Sequence, residues 1–264
     1  MDLMNIFNRR PYKIGIALSG GGIKGLCHAG ALKALDELGI KPDIFSGVSA
    51  GSVVGALYAD GYSPDEIAKL FEDFSFSQLT MIQIPNGGFF KMDSFQKFLT
   101  KNLRAKTFED LKIPLRVVAT DLDKGESVTF SSGNLIEPIV ASCSVPVIFS
   151  PKIIDGVHYV DGGVLKNFPV STIRNDCEKV IGINASQQVD VNYKPGILNV
   201  ASRTYHFMFQ ANISYDKELC DLLIEPIDIG NYYLFDIEKG REIFELGYRT
   251  TRQMLVSKLD NRIF

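Results

Sequence analysis

Histidine is scarce in this sequence: His28, His158 and His206 are the only three in 264 residues. A nucleophilic enzyme built on the familiar imidazole base must find that base among them. Cysteine is scarce too. Cys27, Cys143, Cys177 and Cys220 are scattered without a Cys-x-x-Cys pair, and read as buried free thiols in a reducing compartment; no metal centre is expected. Charge of one sign is also lacking. A net charge of −3 gives no electrostatic footprint for nucleic acid, and none for strong steering toward anionic membranes. Long apolar runs are missing: the uncharged stretch Ile44 to Ala59 is rich in Gly, Ser and Ala and falls short of the ~20 residues a span requires. Met1 to Pro11 has no signal-peptide core, being interrupted by Asp2, Asn5 and Asn8. The expectation is a cytoplasmic protein whose contact with lipid is peripheral.

What is present suits an ordinary globular fold. Hydrophobic residues make up 45% and charged residues 22%, enough for a sizeable core. No repeat, low-complexity tract or linker interrupts the chain, so a short extension over 1–12 and a single domain over 13–264 are expected. Lys13 to Ser19 reads as a buried strand running into glycines. A helix is expected from Leu26 to Leu38, stopped by Gly39, and Pro42 to Phe45 leads into a second strand-to-helix corner. Two such turns within about forty residues mark a βαβα unit with a parallel sheet.

Ser63-Pro64-Asp65-Glu66 carries the signals of a capped helix start. Phe71, Phe74, Phe76, Phe89, Phe90, Phe95 and Phe98 form an aromatic-rich segment broken by Pro85-Asn86-Gly87-Gly88. It reads as a flap meeting acyl chains or, as the spacing of Phe95, Phe98, Leu99 and Leu103 favours, as helices packing phenylalanines inward. Short helices are expected at Thr107 to Leu111 and Leu135 to Ser142, and strands at Leu115 to Ala119, Glu126 to Ser131 and Val180 to Asn184. Lys152 to Val160 is a hairpin turning at Asp155-Gly156. An amphipathic helix from Ile237 to about Leu259 has Ile243, Phe244, Gly247, Tyr248, Met254 and Leu255 on its apolar side.

The chemistry-bearing candidates begin at Gly47-Val48-Ser49-Ala50-Gly51, the single Gly-x-Ser-x-Gly of the chain. At a sharp strand-to-helix turn such a serine is exposed beside a helix N-terminus, whose dipole favours developing negative charge. Ser49 is therefore the candidate nucleophile. Upstream, Gly20-Gly21-Gly22-Ile23-Lys24-Gly25 satisfies Gly-x-Gly-x-x-Gly. Unpaired amides in such a loop hold a phosphate or an oxyanion equally well. A dinucleotide fold would end its second strand in an acid, whereas here that strand runs into the serine corner. Lys24 precedes Gly25 with no Lys-Ser/Thr after it, against a phosphate loop. The oxyanion role fits better, and a nucleotide-binding module is the rival. For a base, His28 lies one turn into a helix, His158 beside a hairpin turn and His206 in a Tyr-His-Phe-Met-Phe segment. None occupies a position that announces itself. Asp161 does: it ends a strand, and Gly162 and Gly163 let the backbone bend tightly after it.

These motifs, in this order, resemble the patatin-like phospholipase family, which uses a Ser–Asp dyad in place of a Ser–His–Asp triad. Ala141-Ser142-Cys143-Ser144-Val145-Pro146, Asn167 and Pro169 also match, and the resemblance runs to about Ser186 and fades from about Val189. It implies Ser49 as nucleophile, Asp161 as base, the Gly21 and Gly22 amides as oxyanion hole and Lys24 as orienting the loop. It implies a three-layer α/β/α sandwich with a mostly parallel central sheet. A lipid ester substrate hydrolysed through an acyl-enzyme, peripheral membrane contact, no cofactor and no nucleic acid are the matching expectations. A thioester hydrolase or transacylase would use the same dyad. Since an ordinary Asp pKa of ~3.9 makes a poor base at neutral pH, Asp161 is expected to be desolvated, with its pKa raised.

Overall fold

The apolar runs read as strands assemble into one eight-stranded sheet. β1 (Tyr12–Leu18) is followed by α1 (Leu26–Glu37), β2 (Ile44–Val48), α2 (Ala50–Ala59) and α3 (Pro64–Asp73). β3 (Gly88–Phe90) and α4 (Asp93–Asn102) precede β4 (Leu115–Asp121), β5 (Glu126–Phe130) and α5 (Ile136–Ser142). β6 (Val147–Phe149) and the hairpin of β7 (Lys152–Ile154) and β8 (Val157–Asp161) lead to β9 (Cys177–Ile183). α6 (Ile197–Ala211), α7 (Ser214–Glu218), β10 (Leu222–Ile224) and α8 (Gly240–Asp260) follow. This computed structural model describes residues 10–73, 88–90, 92–187, 196–232 and 237–260. Most of the extension over 1–12, together with Phe74 and Phe76, lies outside them.

The strand order is β10-β9-β1-β2-β4-β8-β7, with β5 also on β4. β10, β9, β1, β2 and β4 run parallel, and β5, β7 and β8 add antiparallel pairs at one end. Successive strand residues face opposite sides. Ile16, Leu18, Phe45, Ile181 and Ile183 join one core, while Ala17, Ile44 and Val180 join a second. The first is thick and takes residues from α1, α2, α4, α5 and α8. The second is thin, closed by Phe168, Val170 and Ile173, in and around a single-turn helix over Val170–Thr172, and by Ile213. The result is an α/β/α sandwich with unequal outer layers.

Local signals account for most boundaries. Ser63 and Glu66 form the expected reciprocal cap of α3, with Ser63 N–H donating to Glu66 Oε2 at 2.8 Å and Glu66 N–H to Ser63 Oγ at 3.3 Å. Asp155 and Gly156 both have positive φ, 50° and 83°, as a two-residue hairpin turn requires. Phe95 and Phe98 pack against the main core beside fully buried Leu99, so the inward reading holds for that half of the aromatic segment. α6 and β10 have no counterpart in the sequence reading. Thr204, Tyr205, His206, Phe207 and Phe209 are poor helix formers, so α6 depends on what it packs against. Among the described residues, no helix is long and apolar enough to cross a membrane.

α1 and α8 approach unusually closely. A Cβ on Gly30 would lie 2.9 Å from the backbone nitrogen of Tyr248, and one on Gly247 would lie 2.9 Å from the Cys27 backbone. Only hydrogen fits at either position, so the two helices cross backbone against backbone.

Candidate active site

Register brings the chemistry-bearing residues together. Leu18 of β1 is level with Gly47 of β2, and Val48 of β2 with Val118 of β4. Ala119, the next residue of β4, is level with Asp161 of antiparallel β8. Ser49, one step past β2, and Asp161 therefore flank the same short piece of β4. The glycine loop leaves β1 on the other side of Ser49. The site thus sits where parallel strands end, the usual ligand position in such sheets.

Ser49 has φ 50° and ψ −126°, a conformation a non-glycine residue holds only when its surroundings impose it. A Cβ at Gly47 would lie 2.6 Å from the Gly51 carbonyl oxygen, and one at Gly51 would lie 2.6 Å from the Ser19 oxygen. Both spacings leave no room for a side chain. The Ser49 carbonyl accepts the Ser52 hydroxyl at 2.6 Å and the Ser52 amide at 2.9 Å, so the corner is held from within α2. Ser49 itself is 7% exposed.

Gly21 caps a single helical turn over Gly22–Gly25, with Gly22 at φ 60°. Amides at the start of such a turn have no intrahelical acceptor. Gly20 N–H donates to the Asn167 carbonyl at 3.1 Å, which fixes the loop against the segment after Asp161. Lys24, buried, donates from Nζ to the Gln187 carbonyl at 2.9 Å, tying the loop to the chain beyond β9.

Asp161 is fully buried. Its Oδ1 accepts the Gly163 amide at 2.8 Å, while Oδ2 has no hydrogen-bonded partner among the described residues. The carboxyl pKa is raised to about 7 by burial, against the opposing pull of the Ser49 hydroxyl, the Gly163 amide and the Tyr205 phenol. Ser49 and Tyr205 thus act on the carboxyl without closing a well-formed bond to Oδ2. Such distances commonly tighten only with substrate bound. The Cys143 thiol also faces Ser49, Ser52 and Asp161, and burial pushes its pKa well above the ordinary value.

The histidines stand elsewhere. His28 is buried with Nε2 2.8 Å from the Ser19 carbonyl, and burial lowers its pKa to about 4. His158 is paired with Asp123 at 3.2 Å on the surface. His206, on α6, is held neutral by burial and by the charges of Lys24 and Arg203, with a pKa near 4.

Comparison with known proteins identifies the family. The family model described as patatin-like phospholipase matches residues 16–173. The chain belongs to this family. A Bacillus subtilis relative, uncharacterized protein YqhO, is 29% identical over 90% of this chain and 96% of its own length. Human patatin-like phospholipase domain-containing protein 6 is 26% identical over 89% of this chain, which spans only 20% of that protein. Lysophospholipase NTE1 of Kluyveromyces lactis is 27% identical over 89% of this chain and 18% of its own. Among solved structures, VipD from Legionella pneumophila superposes with a TM-score of 0.59 at 17% identity, over 94% of this chain and 67% of that one. Human GIVD cytosolic phospholipase A2 gives 0.50 at 12% identity, over 96% and 59%. These two show the shared fold.

In this patatin-like chain the stretch 141–146 has a physical task that its letters did not reveal. Ser142 Oγ accepts the Ser49 amide at 2.7 Å and donates to the Val118 carbonyl at 2.6 Å. The Ser144 carbonyl accepts the Asp161 amide at 2.9 Å. One turn at the end of α5 therefore grips the backbones of both Ser49 and Asp161. Ser142→Ala should leave a buried amide and a buried carbonyl unpaired, costing about 1–3 kcal/mol for each group so exposed. The expected result is a fall in melting temperature together with turnover. A variant that keeps both unchanged would remove Ser142 from the support of the corner.

Proposed function

We propose that this chain is a carboxylic ester hydrolase of lipids that works through an acyl-enzyme on Ser49, with Asp161 as its base. The observation that carries the reading is the buried carboxyl of Asp161, whose unpartnered Oδ2 faces the strained serine across a single strand. A pKa near 7 suits a group that must accept and return a proton at neutral pH. The serine corner and the glycine loop add to it, as do relatives named phospholipase and lysophospholipase.

In the proposed cycle Ser49 Oγ attacks the ester carbonyl carbon while its proton passes to Asp161 Oδ2. The carbonyl oxygen becomes an oxyanion beside the Gly21 and Gly22 amides, a placement generally worth 10²–10³ in rate per donor. Collapse expels the alcohol, which takes the proton from Asp161. Water then attacks the acyl-Ser49 ester, again giving its proton to Asp161, and that proton returns to Ser49 Oγ as the fatty acid leaves. Lys24 keeps the loop in place through its bond to Gln187. The lipid is met peripherally, at the surface of a membrane or micelle.

The test is a panel of phospholipids, lysophospholipids, triacylglycerols and acyl-CoA, each given to wild type and Ser49→Ala. Release of fatty acid from a glycerolipid by wild type alone is the expected outcome. Hydrolysis confined to acyl-CoA would move the chain to the thioester hydrolases on the same dyad. No Ser49-dependent release from any substrate, with no labelling of Ser49 by a fluorophosphonate, would sink the proposal.

A further inference from the structure

Helix α6 carries no motif, yet it is fastened to the turn that bears Asp161. Asn212, just past its C-terminus, donates from Nδ2 to the Gly163 carbonyl at 2.9 Å, and its Oδ1 accepts the Asn167 amide at 2.8 Å. One turn back, Phe209 fills the space over Gly163, its Cζ 2.7 Å from where a Cβ would stand. A further turn back, Tyr205 packs on Phe209 with ring centroids 4.2 Å apart and is 4% exposed. Three successive turns of one face thus line the Asp161 segment.

Two buried polar atoms are left over at this contact. Among the described residues the Tyr205 hydroxyl and Oδ2 of Asp161 each lack a hydrogen-bonded partner, and each acts on the other: the phenol pulls down a carboxyl pKa that burial raises, and burial and then the carboxylate push the phenol pKa up. An orphaned buried polar group costs about 1–3 kcal/mol. A small adjustment that joins these two removes both costs at once.

We propose that Tyr205 is a positioning residue for the Ser49–Asp161 pair: its hydroxyl donates to Oδ2 of the ionised carboxylate and aims that oxygen at Ser49. The proposal rests on the dyad reading above. Oδ1 is already held by Gly163, so Oδ2 is the oxygen that receives protons, and Tyr205 decides where it points. The bond favours the charged form, which keeps the base available at lower pH than burial alone would permit.

The other groups around Asp161 do not take this part. From α5 the Cys143 thiol stays neutral because burial raises its pKa. From β4 Asp121 turns its Oδ1 into its own turn, accepting the Asp123 and Lys124 amides at 2.9 Å each. On α6 itself, neutral His206 answers to Lys24 and Arg203. From α2 only the Ser49 hydroxyl faces the carboxyl, and from the turn after β8 only the Gly163 amide.

The test is kcat/KM against pH for a soluble short-chain ester, in wild type and Tyr205→Phe. Without the phenol the acidic limb should move to higher pH, giving about a three- to tenfold loss below the limb and a smaller one above it. The pH dependence of fluorophosphonate labelling of Ser49 should move by the same amount, and it can be read even where turnover is weak. A limb that stays in place, or a loss equal at every pH, would overturn the proposal and leave Tyr205 as packing. Ser49→Ala and Asp161→Asn run alongside. If either retains hydrolysis the dyad itself fails; if both are inactive and the limb does not move, only Tyr205 falls.

Discussion

Asp161→Asn is expected to lower turnover by about 10³–10⁴ while making the folded protein more resistant to heat at neutral pH. The two effects have one cause. Burial raises the Asp161 pKa from the ordinary 3.8 to about 7, so the folded state holds this proton where the unfolded chain has released it. A carboxyl shifted in that direction contributes stability that is full below the unfolded pKa and disappears as pH rises through the folded one. Wild type should therefore lose stability from this group between about pH 4 and 7. The asparagine variant, still accepting the Gly163 amide through its oxygen, should not. The gap between their melting temperatures should widen across that window and stay constant above it. By linkage a shift of this size is on the order of a few kcal/mol. Thermal melts at half-unit pH steps check the stability claim, and ester hydrolysis at pH 8 checks the rate. An asparagine variant within tenfold of wild-type turnover would remove Asp161 as base, whatever the melts show.

Ser49→Gly should separate strain from chemistry at the corner. Serine is held at φ 50° and ψ −126°, a conformation that costs about 1–3 kcal/mol outside glycine. Glycine relieves that cost and returns part of it as unfolded-state entropy, so a gain of about 1 kcal/mol is expected. Ser49→Ala keeps the strain and loses only the hydroxyl, so its melting temperature should stay near wild type. Both variants should lose at least about 10⁴ in turnover, as removal of a nucleophile does. Hydrolysis surviving in both would mean a different nucleophile. Equal melting temperatures for glycine and alanine would mean that the corner is not strained.

Much of this was legible in the sequence because it is local. The serine corner, the glycine loop and the Asp155-Gly156 hairpin are each set by a few adjacent residues whose conformations are narrow. Their meeting was not local. It depends on register, which places Ser49 and Asp161 across Ala119 of β4, and register is a property of pairs of strands. Ser142 illustrates the difference: its place in a family motif was visible, while its bonds to the Ser49 amide and the Val118 carbonyl belong to three separate elements. Tyr205 was hidden more deeply. It lies in a run of aromatics with weak helical preference, and its neighbour Asp161 is 44 residues away. The signal within reach was His206 beside it, which drew attention as a base and is instead kept neutral by burial and by the charges of Lys24 and Arg203.

The glycine-to-glycine crossing of α1 and α8 bears on how the protein is made. The helix that follows the glycine loop buries one side against a partner that lies more than two hundred residues later in the chain. Until residues 240–255 have left the ribosome, α1 exposes Leu26 and the groove around Gly30 that Phe244 will fill. Contacts of such long sequence separation form slowly, since a large loop must close first. Folding is then a late event that joins the two ends of the described chain.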